Sequence, residues 1–366
     1  MSPAPRITSS GRKATLATVA EAVGVSRMTV SNAYNRPDQL SPELRERILA
    51  AAHELGYSGP NPVARTLSSG RVGAIGFVLD YPLTRAFSDP ATVGLLHGVA
   101  AVCEERGLGL SLVPKIEGRD AALVQSALVD GFVVFCTRPE DPRIVAVRER
   151  RLPYVLIDYA PTPGERVVGI DDAGGARSAA QHLVDLGHRD VAILLPYPVG
   201  ATTAAAAERM TDRHVGRARL AGWREALSAA GVDWESVPVE AADDGRRESG
   251  RVAAGRLLDR ARRPTAIIAL SDLLALGILD AAADRGIAVP DQLSVTGYDD
   301  IAEAALVDPA LTTVRQPHDG KGAEAVRLLL DSDAPPAIEL PTELIIRAST
   351  GPSPIPTPSS PGRSTP

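Results

Sequence analysis

The stretch LATVAEAVGVSRMTVSNAYN, residues Leu16 to Asn35, decides how the rest of the chain is read. Leu16, Val19, Ala20, Val23, Val25 and Val30 recur at spacings that let two short helices bury one shared apolar seam. Gly24 falls where a tight turn needs a residue without a β-carbon. Ser26 can cap the second helix with its hydroxyl, leaving Arg27, Met28, Thr29, Ser31 and Asn32 to project away from the seam. The pattern is that of a helix-turn-helix, whose second helix lies in the DNA major groove with its N-terminal side chains at the base edges. An ordinary helical hairpin satisfies the same twenty residues, so the flanking sequence has to decide.

Charge favours the DNA reading. The chain has a net charge of −6, but residues 1–71 hold nine Lys or Arg against five Asp or Glu, leaving −10 for the remainder. A basic head on an acidic body offers phosphates a single face. Residues 1–14 lack apolar periodicity and read as a disordered arm. A third helix is expected from Ser41-Pro42-Glu43, with Leu44, Ile48, Ala51, Ala52 and Leu55 inward and Gly56 at its end. The head therefore spans 15–60. Residues 61–71 form a linker in which Asn61 can cap and Pro62 can open about two helical turns. A helix that short needs a partner, and a plain linker is the alternative.

With 366 residues, 44% hydrophobic and 23% charged, the chain can hold a large soluble body, and no apolar run is long enough for a membrane span. The N-terminus has no apolar signal core, so a cytoplasmic protein is expected. Cys103 and Cys136 lie in apolar patterns and read as buried thiols. Apolar runs at 72–79, 108–113, 132–135, 154–157, 191–195, 266–270 and 293–296 alternate with helical patterns at 91–106, 121–128, 144–150, 173–186, 217–230, 249–260 and 273–285. Such alternation means parallel sheets covered on both faces, here two doubly wound subdomains, with ligands beyond the carboxyl ends of their strands. No phosphate-binding loop, nucleophile elbow or paired histidines at metal spacing is present, so neither a catalytic set nor a metal or cofactor site is expected.

TLATVAEAVGVSRMTVSNAYN, LSPELRERILAAAHELGY and NPVARTLSSGRVGAIGFV, followed by RARLAGW (217–223), ALSDLLALG (269–277), SVTGYDD (294–300) and LTTVRQP (311–317), resemble the lactose-repressor/galactose-repressor family of bacterial transcription regulators over residues 15–348. The resemblance implies an all-α head with a hinge helix, then an α/β body similar to periplasmic sugar-binding proteins. In that body, lobe 1 takes about 72–170 and 301–335, and lobe 2 takes about 171–300 and 336–349. It places Arg27, Met28 and Asn32 at base edges, and Thr29, Ser31 and Asn35 on the DNA backbone. Leu67 is the minor-groove wedge with Ala64 beside it, and Thr15, Ser26 and Asn61 complete the DNA set. Arg219 and Asp299 match positions that hold effector hydroxyls, with Asp158 and Ser271 also facing ligand.

Tyr81 and Phe87 can stack on a sugar ring, with core packing or a dimer contact equally open. For Asp171, Asp172 and Asp300 a helix cap or surface loop is preferred. The partners implied are double-stranded, pseudo-palindromic operator DNA, a small carbohydrate effector and a second copy of the chain, with no membrane. A solute-binding receptor for a transporter shares such a body but has no use for residues 16–67. The Pro/Ser-rich segment 350–366 is expected to be disordered.

Overall fold

A computed structural model describes residues 14–59, 70–135, 138, 140–198 and 200–354. The contacts divide the chain into two units, 1–72 and 73–366.

In the first unit, α1 (Leu16–Val23), α2 (Arg27–Asn35) and α3 (Pro42–Glu54) enclose a small core of Val19, Ala20, Val30, Ala33, Ile48, Ala52 and Tyr57. Leu16, Val23 and Val25 lie at its margin, and Leu55, expected inward, is exposed at the C-terminal cap of α3. Three local devices set the helix ends. Thr15 and Thr18 form a reciprocal capping box on α1, Gly24 takes a left-handed φ of 73°, and Ser41 precedes Pro42 at the start of α3. Tyr57 closes the bundle through an edge-on contact with Tyr34, ring centroids 6.0 Å apart.

The second unit contains both expected parallel sheets. Lobe 1 has six strands, β1 (Ala74–Val78), β2 (Gly109–Val113), β3 (Gly131–Phe135), β4 (Tyr154–Ile157), β5 (Val167–Ile170) and β11 (Ala337–Leu340), in the order β11-β5-β4-β3-β1-β2. Strand alternation sends Ile75, Phe77, Val133, Val155 and Ile157 to the face covered by α5 (Pro90–Arg106) and α14 (His318–Leu330). Val78, Phe132, Val134 and Leu156 face α6 (Asp120–Ser126) and α7 (Pro142–Glu149). A single helical turn, α4 (Leu83–Ala86), follows β1.

Lobe 2 orders β6 (Val191–Leu195), β7 (Val239–Ala241), β8 (Ala266–Ala269) and β9 (Ser294–Thr296) as β7-β6-β8-β9. Its helices pair as α8 (Asp172–Asp185) with α10 (His214–Ala229), and α11 (Arg247–Leu258) with α12 (Asp272–Ala283). Glycines set these pairings: a β-carbon on Gly222 would strike the Ala173 carbonyl, and one on Gly277 the Arg247 carbonyl. Two further short helices, α9 (Ala204–Met210) and α13 (Ala302–Leu306), complete the lobe.

The chain crosses between lobes three times, and two expected boundaries move. Residues 301–315 belong to lobe 2, because Ile301, Ala304, Leu311 and Val314 are buried in its core. There β10 (Thr313–Arg315) pairs antiparallel with β12 (Glu343–Ile345). Residues 337–340 belong to lobe 1, because β11 adds to β5 in parallel register. The weakly apolar, edge-strand sequence AIEL carries no signal for which sheet it joins.

The expected disorder beginning at 350 is also corrected for 350–354. His188, fully buried, bonds the Gly351 carbonyl at 3.0 Å, Gly351 N–H donates to Ser294 Oγ at 3.1 Å, and Ser353 N–H donates to Leu186 O at 2.8 Å. Ala14, assigned to the arm, packs against the head core. The rest of the arm (1–13), Asn61, Ala64 and Leu67 of the linker, Cys136 and residues 355–366 lie outside the described residues. Cys103 is a buried free thiol, as expected.

Candidate functional site

The head presents one polar helix face. Ser26 Oγ accepts the Thr29 N–H at 3.0 Å and bonds Thr29 Oγ1 at 2.8 Å, so the cap fixes two side chains at the start of α2. Arg27 and Met28 follow immediately and are exposed, Met28 by 70% of its surface. Thr29, Ser31 and Asn32 are half-buried and Asn35 is exposed. Asn35 Nδ2 donates to Ser31 Oγ at 3.2 Å and Asn32 Nδ2 to Gln39 Oε1 at 3.3 Å. α2 contains no acid, so the Arg27 charge adds to the positive end of the helix.

In the second unit a cavity of about 380 Å³ opens between the lobes. Lobe 1 contributes Asp80, Tyr81, Arg85, Asp89, Lys115, Phe135 and Arg138; lobe 2 contributes Pro196, Tyr197, Arg213 and Asp243 to Gly245. These residues follow the carboxyl ends of β1, β2, β3, β6 and β7, the place where parallel sheets bind ligands. Ion pairs cross the rim: Arg213 meets Asp80 at 2.5 Å and Arg138 meets Asp212 at 3.3 Å. Asp80 is held from its own lobe by the fully buried Arg143 and by Lys115 at 3.6 Å. Arg85 stacks over the Tyr81 ring at 5.0 Å and Arg213 over Tyr197 at 5.2 Å, one guanidinium–tyrosine stack from each lobe.

Asp158, Arg219 and Asp299 meet in a buried cluster at the chain crossovers and do not line this cavity. Arg219 donates from Nε to Asp172 at 2.8 Å and from Nη1 to Leu270 O at 2.5 Å. It also lies 3.9 Å from Asp299 and 3.4 Å over the Tyr298 ring. Burial works against the charge, but Asp172, Tyr298 and Asp299 outweigh it and the guanidinium is held more firmly charged than usual.

Asp299 accepts from Gln316 Nε2 at 2.6 Å, and burial pushes its carboxyl well above the ordinary range despite Arg219. Asp158 accepts from Lys321 Nζ at 2.7 and 3.0 Å. Burial lowers His318, at the start of α14, to about 3. Tyr298 Oη, Gln316 Oε1 and His318 Nε2 are buried without a hydrogen-bond partner among the described residues.

Of the remaining expected ligand residues, Tyr81 lines the cavity wall and bonds Thr92. Ser271 precedes α12 and is half-buried. Phe87 is 63% exposed at the end of α4, away from the cavity lining. Asp171 is the helix cap expected of it, accepting Gly174 N–H at 2.7 Å. Asp172 is neither a cap nor a surface-loop residue but the buried partner of Arg219, while Asp300 stands half-buried in a loop and pairs with Arg315 and Arg347. Asp272 accepts Ile301 N–H at 2.9 Å and the Thr313 hydroxyl at 2.5 Å, and burial raises its carboxyl to about 6.

The sequence reading missed Arg85, Tyr197, Arg213 and Lys321. Arg85 sits in the single turn α4, too short to show periodicity, and Tyr197 and Arg213 stand in loops. Lys321 lies in the unassigned helix α14, where nothing marks a lysine as a core residue. Among the described residues no group of acidic, His or Cys side chains could hold a metal ion, and no helix is long and apolar enough to cross a membrane.

Residues 15–61 match the family model described as bacterial regulatory proteins, lacI family, and residues 180–350 match a periplasmic binding protein-like domain. The chain is 44% identical to the HTH-type transcriptional regulator Rv3575c of Mycobacterium tuberculosis, over 96% of this chain and 99% of the relative. It is similar to the solved complex of the transcriptional regulator CelR with cellobiose, at 33% identity and a TM-score of 0.68, covering 92% of this chain and 99% of that one. The lac repressor dimer bound to operator and an anti-inducer gives 26% identity and a TM-score of 0.75, covering 93% and 100%. With its helix-turn-helix head and two-lobed parallel-sheet body, the chain belongs to the LacI family of bacterial transcription regulators, DNA-binding proteins and not enzymes.

Proposed function

We propose that this regulator binds a pseudo-palindromic operator as a homodimer in the cytoplasm, at the nucleoid, and that a carbohydrate held between the lobes of each body sets its grip on the DNA. The observation that carries this reading is the cavity between the lobes, lined from both by tyrosines, guanidinium groups and carboxylates. Tyrosine faces stack on sugar rings, carboxylates accept from hydroxyls and guanidinium groups donate to their oxygens. The cellobiose complex of the similar CelR supports a sugar as the ligand class.

In this reading Arg27 and Asn32 pair with guanine and adenine edges, with Met28 in apolar contact beside them. Thr15, Ser26, Thr29, Ser31, Asn35 and Asn61 hold the backbone, and Leu67 wedges into the minor groove beside Ala64. Arg219 and Asp299 turn toward effector hydroxyls when the lobes rearrange, with Asp158 and Ser271 nearby, Tyr81 against the ring and Phe87 at the entrance. The effector acts by binding one lobe arrangement better than the other, which changes the separation of the paired linkers.

The test is a gel shift at stated salt with DNA from the chain's own promoter region, titrated with cellobiose and a panel of mono- and disaccharides, beside a thermal-shift screen. Retardation altered by at least one sugar that also raises the melting temperature is expected. DNA binding that no carbohydrate changes would refute the effector class.

A further inference from the structure

The crossovers bring together two buried ion pairs on opposite sides of the hinge. On the lobe 1 side, Asp158 leaves the end of β4 with a left-handed φ of 61°, and both its oxygens accept from Lys321 in the first turn of α14. The two side chains are 6% and 2% exposed. On the lobe 2 side, Asp172 opens α8 and pairs with Arg219 of α10. The pairs are neighbours: Asp158 N–H donates to Val168 O, four residues before Asp172, and Gln316, five residues before Lys321, donates to Asp299 at 2.6 Å, itself 3.9 Å from Arg219. Burial disfavours the Asp172 charge and Arg219 favours it, and from lobe 1 Asp158 disfavours it while Lys321 favours it. Two carboxylates near one another in a water-poor hinge repel strongly, because little solvent screens them. Lys321 bonds the first of them, and Arg219 the second.

We propose that Lys321 is a positioning residue for lobe closure, its ammonium holding Asp158 on the lobe 1 side so that the Asp172–Arg219 pair of lobe 2 can close against it. Lys321 itself does not line the cavity. Its effect reaches the cavity through geometry. With the hinge neutralised, Arg213 can meet Asp80 and Arg138 can meet Asp212 at the rim. Without the ammonium, the Asp158 carboxylate is left desolvated beside Asp172, and parting the lobes is the motion that hydrates both.

The test is amide hydrogen exchange by mass spectrometry on the full-length, ligand-free protein, so it stands whether or not a carbohydrate is the effector. In Lys321→Met, segments 80–89 and 204–213, which carry the facing rim residues, are expected to exchange at least tenfold faster than in the wild type. The strand cores 131–135 and 191–195 should stay within twofold. In Asp158→Asn/Lys321→Met, where the orphaned charge is gone, the rim segments are expected to return to within about threefold of wild type. Should the single variant fail to fold, the double variant must still fold with near-wild-type rim exchange. Equal acceleration in rim and cores, an unchanged rim in the single variant, or a double variant no better protected than the single one would each overturn the proposal.

Discussion

Truncating Arg219 to alanine is the most informative single perturbation of the body, because its consequence can be worked from the contacts. The guanidinium is 5% exposed and its partner Asp172 3% exposed. Removing it strips Asp172 of its 2.8 Å donor, leaves the Leu270 carbonyl without its 2.5 Å donor, and removes a cation stacked on Tyr298. Breaking a buried pair by deleting one partner costs about 3–5 kcal/mol, since the remaining charge stays desolvated. For a unit of this size the unfolding entropy is roughly 0.6 kcal/mol per degree, so the melting temperature should fall by about 5–8 °C. Differential scanning calorimetry on the wild type, Arg219→Ala, Asp172→Ala and the double variant measures it. The double variant should be more stable than Arg219→Ala by at least about 1 kcal/mol, because no unpaired charge remains. A single variant that melts within about 1 °C of wild type, or strictly additive effects, would refute the claim that this pair is a buried, coupled unit. Below the melt, Arg219→Ala should still retard operator DNA while losing its response to effector.

In Gly222→Ala the new methyl meets the Ala173 carbonyl, so α10 must move off α8 and stability should drop by about 1–3 kcal/mol in denaturant titrations; no loss would contradict the packing described. Burial depresses His318 to about 3 from an ordinary 6.5, so below 6.5 the unfolded chain binds a proton that the folded chain refuses. The stability advantage of wild type over His318→Gln should therefore shrink as the pH falls from 7 toward 4, and melting curves showing a constant difference would exclude it. Ser26→Ala removes the cap of α2 and should cost about 1 kcal/mol, seen as faster amide exchange at 27–35 and weaker DNA binding; unchanged exchange would mean the cap is idle.

Most of the head was legible in the linear pattern. Gly24, Ser26 and Ser41-Pro42 act on the backbone within three or four residues of themselves, so their effects do not depend on what the chain packs against. The continuous apolar runs of β1, β3, β6 and β8 were equally plain, since a strand buried on both faces needs apolar residues throughout. The candidate ligand site was only partly legible. Asp158, Arg219 and Asp299 do come together, but buried among partners, while the cavity takes walls from Arg85 in a single helical turn and from Tyr197 and Arg213 in loops of the other lobe.

By itself the sequence determined the helix-turn-helix, the basic head on an acidic body and the alternation that demands two parallel sheets, because each follows from local spacing and composition. Only the tertiary structure decided that residues 301–315 and 337–340 exchange lobes, that Asp172 is the partner of Arg219, and that Lys321 is buried against Asp158. Those outcomes depend on which distant strand edge or desolvated charge a segment meets. Electrostatic pairing in a water-poor hinge acts between residues as far apart in the chain as 158 and 321, where periodicity carries no information.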